Sequence, residues 1–390
     1  MLAATTLLNF VLLLVLSAGN MALIVAVVNR LHGRPLPEPL LKNLRHAHDA
    51  TILLIPFVLV WLLGFRGPRL LTGGRWADLS GPWQVYLALC GLGSVMLAAS
   101  AVRWWLRKPP AAQLSNHTWI VDIAERLGRR PIGDGPYRML TRVPRNEIFR
   151  VAVSEKRYQF PRLPRAWHGL SILHLTDMHF IGTVDRPYFE EIAKLSEELE
   201  PDLIVFTGDL LDRQHLVEWL PSTLGRLRAP LGCHFILGNH DWVLDSDAIR
   251  SELTKLGWND VAGKTIGLER DGRRIILGGT EYPWMGAHPE FGPANPDDFR
   301  VLLSHTPDNL PWARKQNVDL MLSGHNHGGQ VVLPVLGPIY SPSKYGVRYS
   351  GGVFFEDPTL LYVSRGLSAK HALRINCNPE LTKLVLETPH

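Results

Sequence analysis

Three long runs of uncharged and mostly apolar residues dominate the first third of the chain. No charged side chain occurs in residues 1–29, 50–65 or 79–102. The first and third runs reach the roughly 20 residues that a helix needs to cross a bilayer. The run 50–65 is short for a span, and a buried or re-entrant helix explains it as well. We therefore expect two or three transmembrane helices, at about 3–28, 50–65 and 82–102.

Beyond the third run, the apolar pattern becomes shorter and more regular. Residues 107–147 are punctuated by proline and glycine, which is typical of a linker. Strand-like runs then alternate with helically spaced residues at intervals of ~30 residues, the length of a strand–helix–strand unit. The first three such runs are Ser171–Leu175, Asp202–Phe206 and Cys233–Leu237. The pattern predicts a membrane anchor over 1–106 and, over 148–390, an α/β domain built as a sandwich of two packed sheets.

Polar residues that can bind metal follow these strand-like runs, and a parallel sheet would bring them to one edge. The clusters are Thr176–His179, Gly208–Asp212, Gly238–Asp241, Ser304–Asp308 and Ser323–Gln330. Their carboxylate, amide and imidazole groups suit a pair of borderline cations such as manganese, iron or zinc, whereas Ca²⁺ prefers oxygen ligands. Paired ions of this kind sit ~3.5–4 Å apart and activate a water molecule for in-line displacement.

Charge is divided unevenly between the two predicted regions. The chain of 390 residues has a net charge of +5, but residues 1–110 hold ten Lys and Arg against three acidic residues. The remaining 280 residues hold 31 basic and 33 acidic groups. The positive charge therefore comes from the loops that flank the apolar runs, and we expect no nucleic-acid partner.

Basic residues in those loops indicate the orientation of the chain in a membrane. With three spans, the loop 29–49, which has four Lys or Arg, shares a side with the segment after residue 102, which has three. The loop 66–78 on the opposite side has three. The positive-inside rule then predicts a cytoplasmic C-terminal domain, whereas two spans would put the same domain outside.

The order and spacing of the polar clusters resemble the calcineurin-like metallophosphoesterase superfamily over about residues 148–390. The matching motifs are Asp177-x-His179, Gly208-Asp209-x-x-Asp212, Gly238-Asn239-His240-Asp241, His305 and Gly324-His325-x-His327. Two longer motifs, Leu303-Ser304-His305-x-Pro307-Asp308 and His325-x-His327-Gly328-Gly329-Gln330, look like a bacterial, membrane-attached subgroup. That subgroup includes a type of UDP-2,3-diacylglucosamine pyrophosphatase. The resemblance implies a four-layer α/β/β/α sandwich and two divalent metal ions, with manganese expected and iron or zinc as alternatives.

The resemblance also implies a role for each matching residue. It assigns the first metal to Asp177, His179 and His327. It assigns the second metal to Asn239, His305 and His325, with Asp209 bridging the two ions. His240 would be the general acid that protonates the leaving oxygen, oriented by Asp241, while Asp212 would support its turn or orient His240. Arg365 would contact a substrate phosphate or form a structural salt bridge.

These features predict a membrane-anchored, dinuclear metal-dependent phosphoesterase whose partner is the lipid bilayer. The expected substrate is a phosphodiester or pyrophosphate, in particular a lipid-linked nucleotide such as UDP-2,3-diacylglucosamine. Broader phosphodiesterase or phosphomonoesterase activity on another envelope compound is the alternative. A non-catalytic metal-binding scaffold is disfavoured because every metal position is filled, and a transporter because the apolar runs contain no internal charge. The sequence does not indicate an oligomeric state.

Overall fold

The chain forms two compact units. The computed structural model describes residues 2–293, 295 and 298–389. An anchor unit contains the residues up to Arg107 together with Leu333–Arg348, and an α/β unit contains Lys108–Val332 and the residues from Tyr349 onward. The segment 333–348 thus interrupts the α/β unit along the chain but belongs to the anchor unit in space.

Three helices of the anchor unit are long and apolar enough to cross a membrane. They are α1 (Leu2–His32), α2 (Glu38–Leu59) and α3 (Gly81–Leu106). The second helix continues into a π-helical segment, Val60–Arg66, which gives a candidate span of 28 residues, Pro39–Arg66. The uncharged run 50–65 is therefore only the second half of a helix whose first half carries charged residues. Its length makes it the third candidate span.

Close backbone approach joins α1 to α3. A Cβ atom added to Gly19 would lie 1.9 Å from the carbonyl oxygen of Cys90, and one added to Gly93 would lie 2.2 Å from the carbonyl oxygen of Gly19. The Ser94 hydroxyl donates to the Val15 carbonyl over 2.8 Å. Lipid tails are as apolar as leucine, so helices in a bilayer associate through such small residues and hydrogen bonds.

The first and third helices run in the same direction. Near the start of α1, Asn9 accepts a hydrogen bond of 2.8 Å from the indole N–H of Trp76, just before α3. Near their ends, Asn29 of α1 and Trp105 of α3 both donate to the segment 333–348. The intervening helix α2 therefore returns in the opposite direction.

The α/β unit contains two sheets, with strands numbered in chain order. In spatial order, the first sheet consists of β1 (Gln113–Asp122), β2 (Arg150–Gln159), β15 (Glu380–Glu387), β3 (Leu170–Leu175), β4 (Leu203–Thr207), β5 (Cys233–Ile236) and β6 (Trp258–Asp260). The second consists of β13 (Gly352–Glu356), β14 (Thr359–Val363), β10 (Leu320–Ser323), β9 (Phe299–Ser304), β8 (Arg273–Thr280) and β7 (Thr265–Arg270). Two short strands outside these sheets are β11 (Val332–Leu333) and β12 (Gly337–Pro338), and β12 belongs to the anchor unit. Strands β3 to β6 are parallel, as are β8, β9, β10 and β14.

Helices cover the outer faces of both sheets. The helices of this unit are α4 (Ile123–Arg126), α5 (Arg186–Glu198), α6 (Asn239–Trp242), α7 (Ser246–Lys255) and α8 (Leu310–Lys315). One core lies between the first sheet and α5 and α7, a second between the sheets, and a third between the second sheet and α8. Neighbouring residues such as Ile172 and Leu173 point into different cores because strand side chains alternate. The predicted four-layer α/β/β/α sandwich is confirmed.

The stretch 107–147 contains more regular structure than a linker. Strand β1 pairs antiparallel with β2 and forms an edge of the first sheet. Most of its residues are exposed, so it lacks the apolar alternation that reveals a half-buried strand in a sequence.

A buried ion pair connects β2 with β15. Lys156 Nζ lies 2.7 Å from Glu380 Oε1 and also donates to the Tyr362 hydroxyl of the second sheet over 3.1 Å. Burial opposes the charge on Glu380, but Lys156 and Arg365 outweigh it and hold the pKa of Glu380 well below its usual range. A charge buried to this degree depends on its partners.

We expect Lys156→Met to lower the free energy of unfolding by about 3 kcal/mol, because it leaves Glu380 buried with one cation fewer. Arg157→Met is the matched control, since the neighbouring Arg157 side chain is 44% exposed and pairs with Glu155 and Glu387 at the surface. The control should lose less than about 1 kcal/mol. Guanidinium unfolding followed by near-UV circular dichroism measures both, and equal losses would contradict the expectation.

Candidate metal centre

The predicted ligands lie beyond the carboxyl ends of parallel strands. Asp177 and His179 follow β3, Asp209 follows β4, and Asn239 follows β5. Because these strands are neighbours in one parallel sheet, their ends meet at the same edge. The first sheet therefore brings one amide, one imidazole and two carboxylates together.

The second sheet contributes the remaining histidines at the same place. His305 follows β9, and His325 and His327 follow β10, which pairs in parallel with β9. His305 Nδ1 lies 2.7 Å from the Thr207 carbonyl oxygen at the end of β4, so the ends of the two sheets are in direct contact. All seven predicted metal ligands are thus gathered in one pocket.

Five of these seven residues have a left-handed backbone conformation. Their φ angles are 53° for Asp177, 47° for His179, 58° for Asp209, 69° for His325 and 50° for His327. Such angles are uncommon for residues with a side chain and are disfavoured by about 1–3 kcal/mol each, so the surrounding fold must enforce them. Clusters of strained residues are typical of functional sites.

Gly324, directly before the first histidine of the last motif, allows the turn to approach Asp177. A Cβ atom at this position would lie 2.2 Å from Asp177 Oδ2 and 2.2 Å from Thr176 Oγ1. The backbone N–H of His325 donates to the same carboxylate over 3.1 Å. Any side chain larger than hydrogen would displace Asp177.

Asp209 belongs to two overlapping groups of donor atoms. The first group is Asp177, His179, Asp209 and His327. The second is Asp209, His305 and His325. Within each group, one donor atom from every residue lies within 4.8 Å of the others, and all of these residues are buried. The carboxylate of Asp209 is therefore positioned to serve two ligand sets at once.

Distances between donor atoms show how tightly each group is packed. His179 Nε2 lies 3.1 Å from His327 Nε2 and 3.6 Å from Asp209 Oδ2. His305 Nε2 lies 3.3 Å from Asp209 Oδ2, 3.1 Å from Asn239 Oδ1 and 3.1 Å from His325 Nδ1. Asn239 therefore contacts the second group, as the resemblance implies. Imidazole nitrogens and carboxylate oxygens lie at such short distances from one another when they surround a shared cation site.

Hydrogen bonds from behind fix two of the imidazole rings. His179 Nδ1 donates to Asp212 Oδ2 over 2.8 Å, and His305 Nδ1 donates to the Thr207 carbonyl. In both rings, Nε2 is then the nitrogen that faces the donor group. Orientation of a ligating histidine by a carboxylate or carbonyl is typical of metal sites.

The electrostatics of the pocket favour positive charge. The ion pairs of Asp177 and Asp209 in the described part of the chain all go to histidine rings. Burial alone would lower the pKa of His305, but Asp209 and Asp177 outweigh it and raise that pKa to about 9. Burial would likewise raise the pKa of Asp209, yet His305 and His240 hold it well below its usual range. A buried group of carboxylates and imidazoles that stabilises positive charge in this way fits a divalent metal ion.

His240 is oriented by a different residue from the one we expected. Its Nδ1 donates to Asp212 Oδ1 over 2.6 Å, and the Asp212 and Asp209 carboxylates overcome burial to raise the pKa of His240 to about 9. Asp241 instead accepts from the backbone N–H groups of Leu210, Leu211 and Gly238. The Asp241 side chain thus turns back into the loops that follow β4 and β5, and Asp212, the other candidate, makes the contact with the His240 ring.

Two roles were predicted for Arg365, a contact with substrate phosphate and a structural salt bridge, and the structure contains the salt bridge. Its Nε lies 3.3 Å from Glu380 Oε2. A different arginine, which the sequence did not indicate, contacts one of the candidate ligands. Buried Arg374 donates to the His327 carbonyl over 2.8 Å, and its Nη2 lies 3.2 Å from His327 Nδ1. Burial, His179 and Arg374 together lower the pKa of His327 well below its usual value. No motif marked Arg374, because it lies 47 residues from its partner in a segment without periodic pattern.

The sequence matches the calcineurin-like phosphoesterase family model over residues 170–329. The uncharacterized metallophosphoesterase YkuE of Bacillus subtilis is 33% identical over 245 residues, which cover 58% of this chain and 82% of that protein. The chain belongs to the calcineurin-like phosphoesterase family. It is a phosphoester hydrolase, and the resemblance seen in its motifs is confirmed.

Two further family members resemble the chain over a similar range. Phosphodiesterase YaeI of Escherichia coli is 31% identical over 220 residues, covering 55% of this chain and 81% of YaeI. UDP-2,3-diacylglucosamine pyrophosphatase LpxG of Chlamydia muridarum is 26% identical over 283 residues, covering 56% of this chain and 85% of LpxG. Metallophosphoesterases use divalent metals, and the buried donor groups around Asp209 match that requirement.

We expect Asp212→Asn to lower kcat by about 10–100-fold, since an amide cannot accept from both His179 and His240 in the present geometry. The loss should be larger for esters with alkyl leaving groups than for p-nitrophenyl esters, because a poor leaving group depends more on protonation. Steady-state kinetics with both ester classes measures this difference.

Asp241→Asn is the comparison variant. It leaves an amide facing three backbone donors, so it should lower the free energy of unfolding by about 1–3 kcal/mol without a dependence on the leaving group. A leaving-group effect in Asp241→Asn, with none in Asp212→Asn, would return the orienting role to Asp241.

Proposed function

We propose that this protein is a membrane-anchored, dinuclear phosphoesterase that hydrolyses a phosphodiester or pyrophosphate bond. The observation that carries the proposal is the position of Asp209 in both donor groups. One carboxylate shared by two sets of imidazoles suits a pair of cations better than one. The three candidate spans support attachment to a bilayer.

The two groups define which residues would hold each ion. Asp177, His179, Asp209 and His327 would hold the first, and Asp209, Asn239, His305 and His325 the second. When bound, the ions would supply Lewis acidity and lower the pKa of a coordinated water. The mixed nitrogen and oxygen donors fit manganese, with iron or zinc as alternatives.

His240 is the residue best suited to donate a proton to the leaving oxygen. Its side chain is 24% exposed, whereas the side chains of His179 and His305 are only 1% and 0% exposed. Its Nε2 proton would pass to the leaving oxygen, and the neutral ring would keep its Nδ1–H bond to Asp212. The Asp212 carboxylate, which accepts from Nδ1, favours the charged form of this ring and raises its pKa.

A lipid-linked nucleotide such as UDP-2,3-diacylglucosamine is the proposed substrate. The similarity to LpxG and the apolar helices support it. The alternative is a broader phosphodiesterase or phosphomonoesterase activity on another envelope compound, which the similarity to YaeI favours. Basic residues in the loop 29–49 and after residue 102 support a cytoplasmic position for the α/β unit.

Asp209→Asn should remove bound metal and activity together, because the variant loses the shared carboxylate. We expect at least about a 1,000-fold loss of bis(p-nitrophenyl) phosphate hydrolysis, with a matching fall in metal per chain by elemental analysis. Asp271→Asn, an exposed turn residue, is the control and should retain both. Full hydrolysis by purified Asp209→Asn protein would refute the dinuclear site.

The same preparations distinguish the substrates. Wild-type protein given UDP-2,3-diacylglucosamine in mixed micelles should release uridine monophosphate, and Asp209→Asn should not. Cleavage of generic diesters without release of uridine monophosphate would exclude the lipid-linked nucleotide and favour the broader activity. Metal binding with no hydrolysis of any ester would favour a scaffold.

A reporter fused after the last strand tests the sidedness. We expect a C-terminal fluorescent protein to be active and a C-terminal alkaline phosphatase to be inactive in bacterial cells. The amounts of both fusions in the membrane fraction serve as controls. Activity of the phosphatase fusion alone would place the α/β unit outside the cytoplasm.

A further inference from the structure

The segment 333–348 is held by the end of α1. Asn29 of this helix is buried, and its side-chain amide both donates a hydrogen bond to the segment and accepts one from it. Asn29 Nδ2 donates to the Ile339 carbonyl over 3.2 Å, and the Ser341 N–H donates to Asn29 Oδ1 over 3.1 Å. A side-chain amide with both groups paired fixes the segment to a defined turn of α1.

The end of α3 holds the same segment. The indole N–H of Trp105 donates to the Val335 carbonyl over 2.9 Å. Gly337 packs on the neighbouring Trp104, where a Cβ atom would lie 2.8 Å from the ring, and its φ of 74° also favours glycine. The segment therefore lies across the ends of two candidate spans.

Those helix ends have the composition of a membrane–water interface. Trp104 and Trp105 stand beside Arg103 and Arg107 at the end of α3, and Arg30 occupies the last turn of α1. Tryptophan is enriched at the level of lipid headgroups, and arginine extends its charge from there into water. The segment is seated at this level of both helices.

The first half of the segment, residues 333–340, exposes large apolar side chains. Val335 is 68% exposed, Leu333 39% and Tyr340 37%, beside exposed Trp105 and Leu106. The 16 residues contain no acidic side chain, and their charged residues are Lys344 and Arg348. Exposed apolar groups that continue the surface of membrane spans, with cations but no acids, suit the boundary between anionic headgroups and acyl chains.

We propose that the segment 333–348 is a lipid-contacting part of the anchor, with Leu333, Val335 and Tyr340 immersed in the headgroup region of the bilayer that α1 and α3 cross. This inference rests on the membrane attachment proposed above and is independent of the proposed reaction. It assigns a membrane role to residues that begin six positions after His327.

A polarity-sensitive fluorophore at Val335→Cys tests the proposal in the full chain. The native cysteines Cys90, Cys233 and Cys377 are buried, and wild-type protein treated with the same fluorophore controls for their labelling. In nanodiscs, the label should emit at shorter wavelength than in detergent-free denaturant. Lipids that carry a spin label near the headgroup should quench more than about half of its emission. Iodide in the buffer should quench it weakly. Phe355→Cys, at a 53% exposed site of the α/β unit, should respond mainly to iodide.

Leu333→Cys provides a second reporter if the first variant does not fold. Iodide quenching at both sites equal to that of Phe355→Cys, without lipid quenching, would overturn the proposal. A blue shift that requires two chains per nanodisc would overturn it as well, in favour of contact with a second copy. Lipid quenching in discs that hold one chain supports it.

Discussion

The carboxylate of Asp209 sets the constraint on which the rest of this domain depends. It is buried, it faces histidines from both sheets, and its position requires the carboxyl ends of β4, β9 and β10 to meet. The parallel pairing within each sheet brings these ends to one edge, and the core between the sheets holds the two edges in contact. Residues in left-handed conformation then direct the ligands toward Asp209. The packing of the strands that precede them offsets the strain of these conformations.

Much of the site could be predicted from the sequence because its ligands follow short, strongly apolar strands. Asp177 and His179, Asp209, and Asn239 come within four residues of the ends of β3, β4 and β5, so sequence position nearly determines spatial position. Asp212 and Asp241 show where this fails. Both stand near His240 in motif order, but the side chain that reaches it is decided by how two turns pack against each other, and no local pattern records that packing.

The fold shows the same division between local and non-local information. Buried strands such as β3 and β4 were visible as apolar runs, whereas the exposed edge strand β1 was not, because only its backbone takes part in the sheet. The length of the second candidate span was underestimated since charged residues occupy its first half. The attachment of the segment 333–348 to α1 and α3 rests on contacts between residues about 230 or more positions apart, which a single sequence does not reveal.

The parallel course of α1 and α3 has a consequence for compartments. A membrane that all three helices cross separates the start of α1 from everything that follows Leu106. Under the proposed three-span topology, molecules that meet the first residues of α1 would lie in one compartment, and a phosphoester that reaches Asp209 would come from the other or from the leaflet that faces it. The two ends of such an anchor would be exposed to different aqueous solutions, and the chemistry of the α/β unit would be available to only one of them.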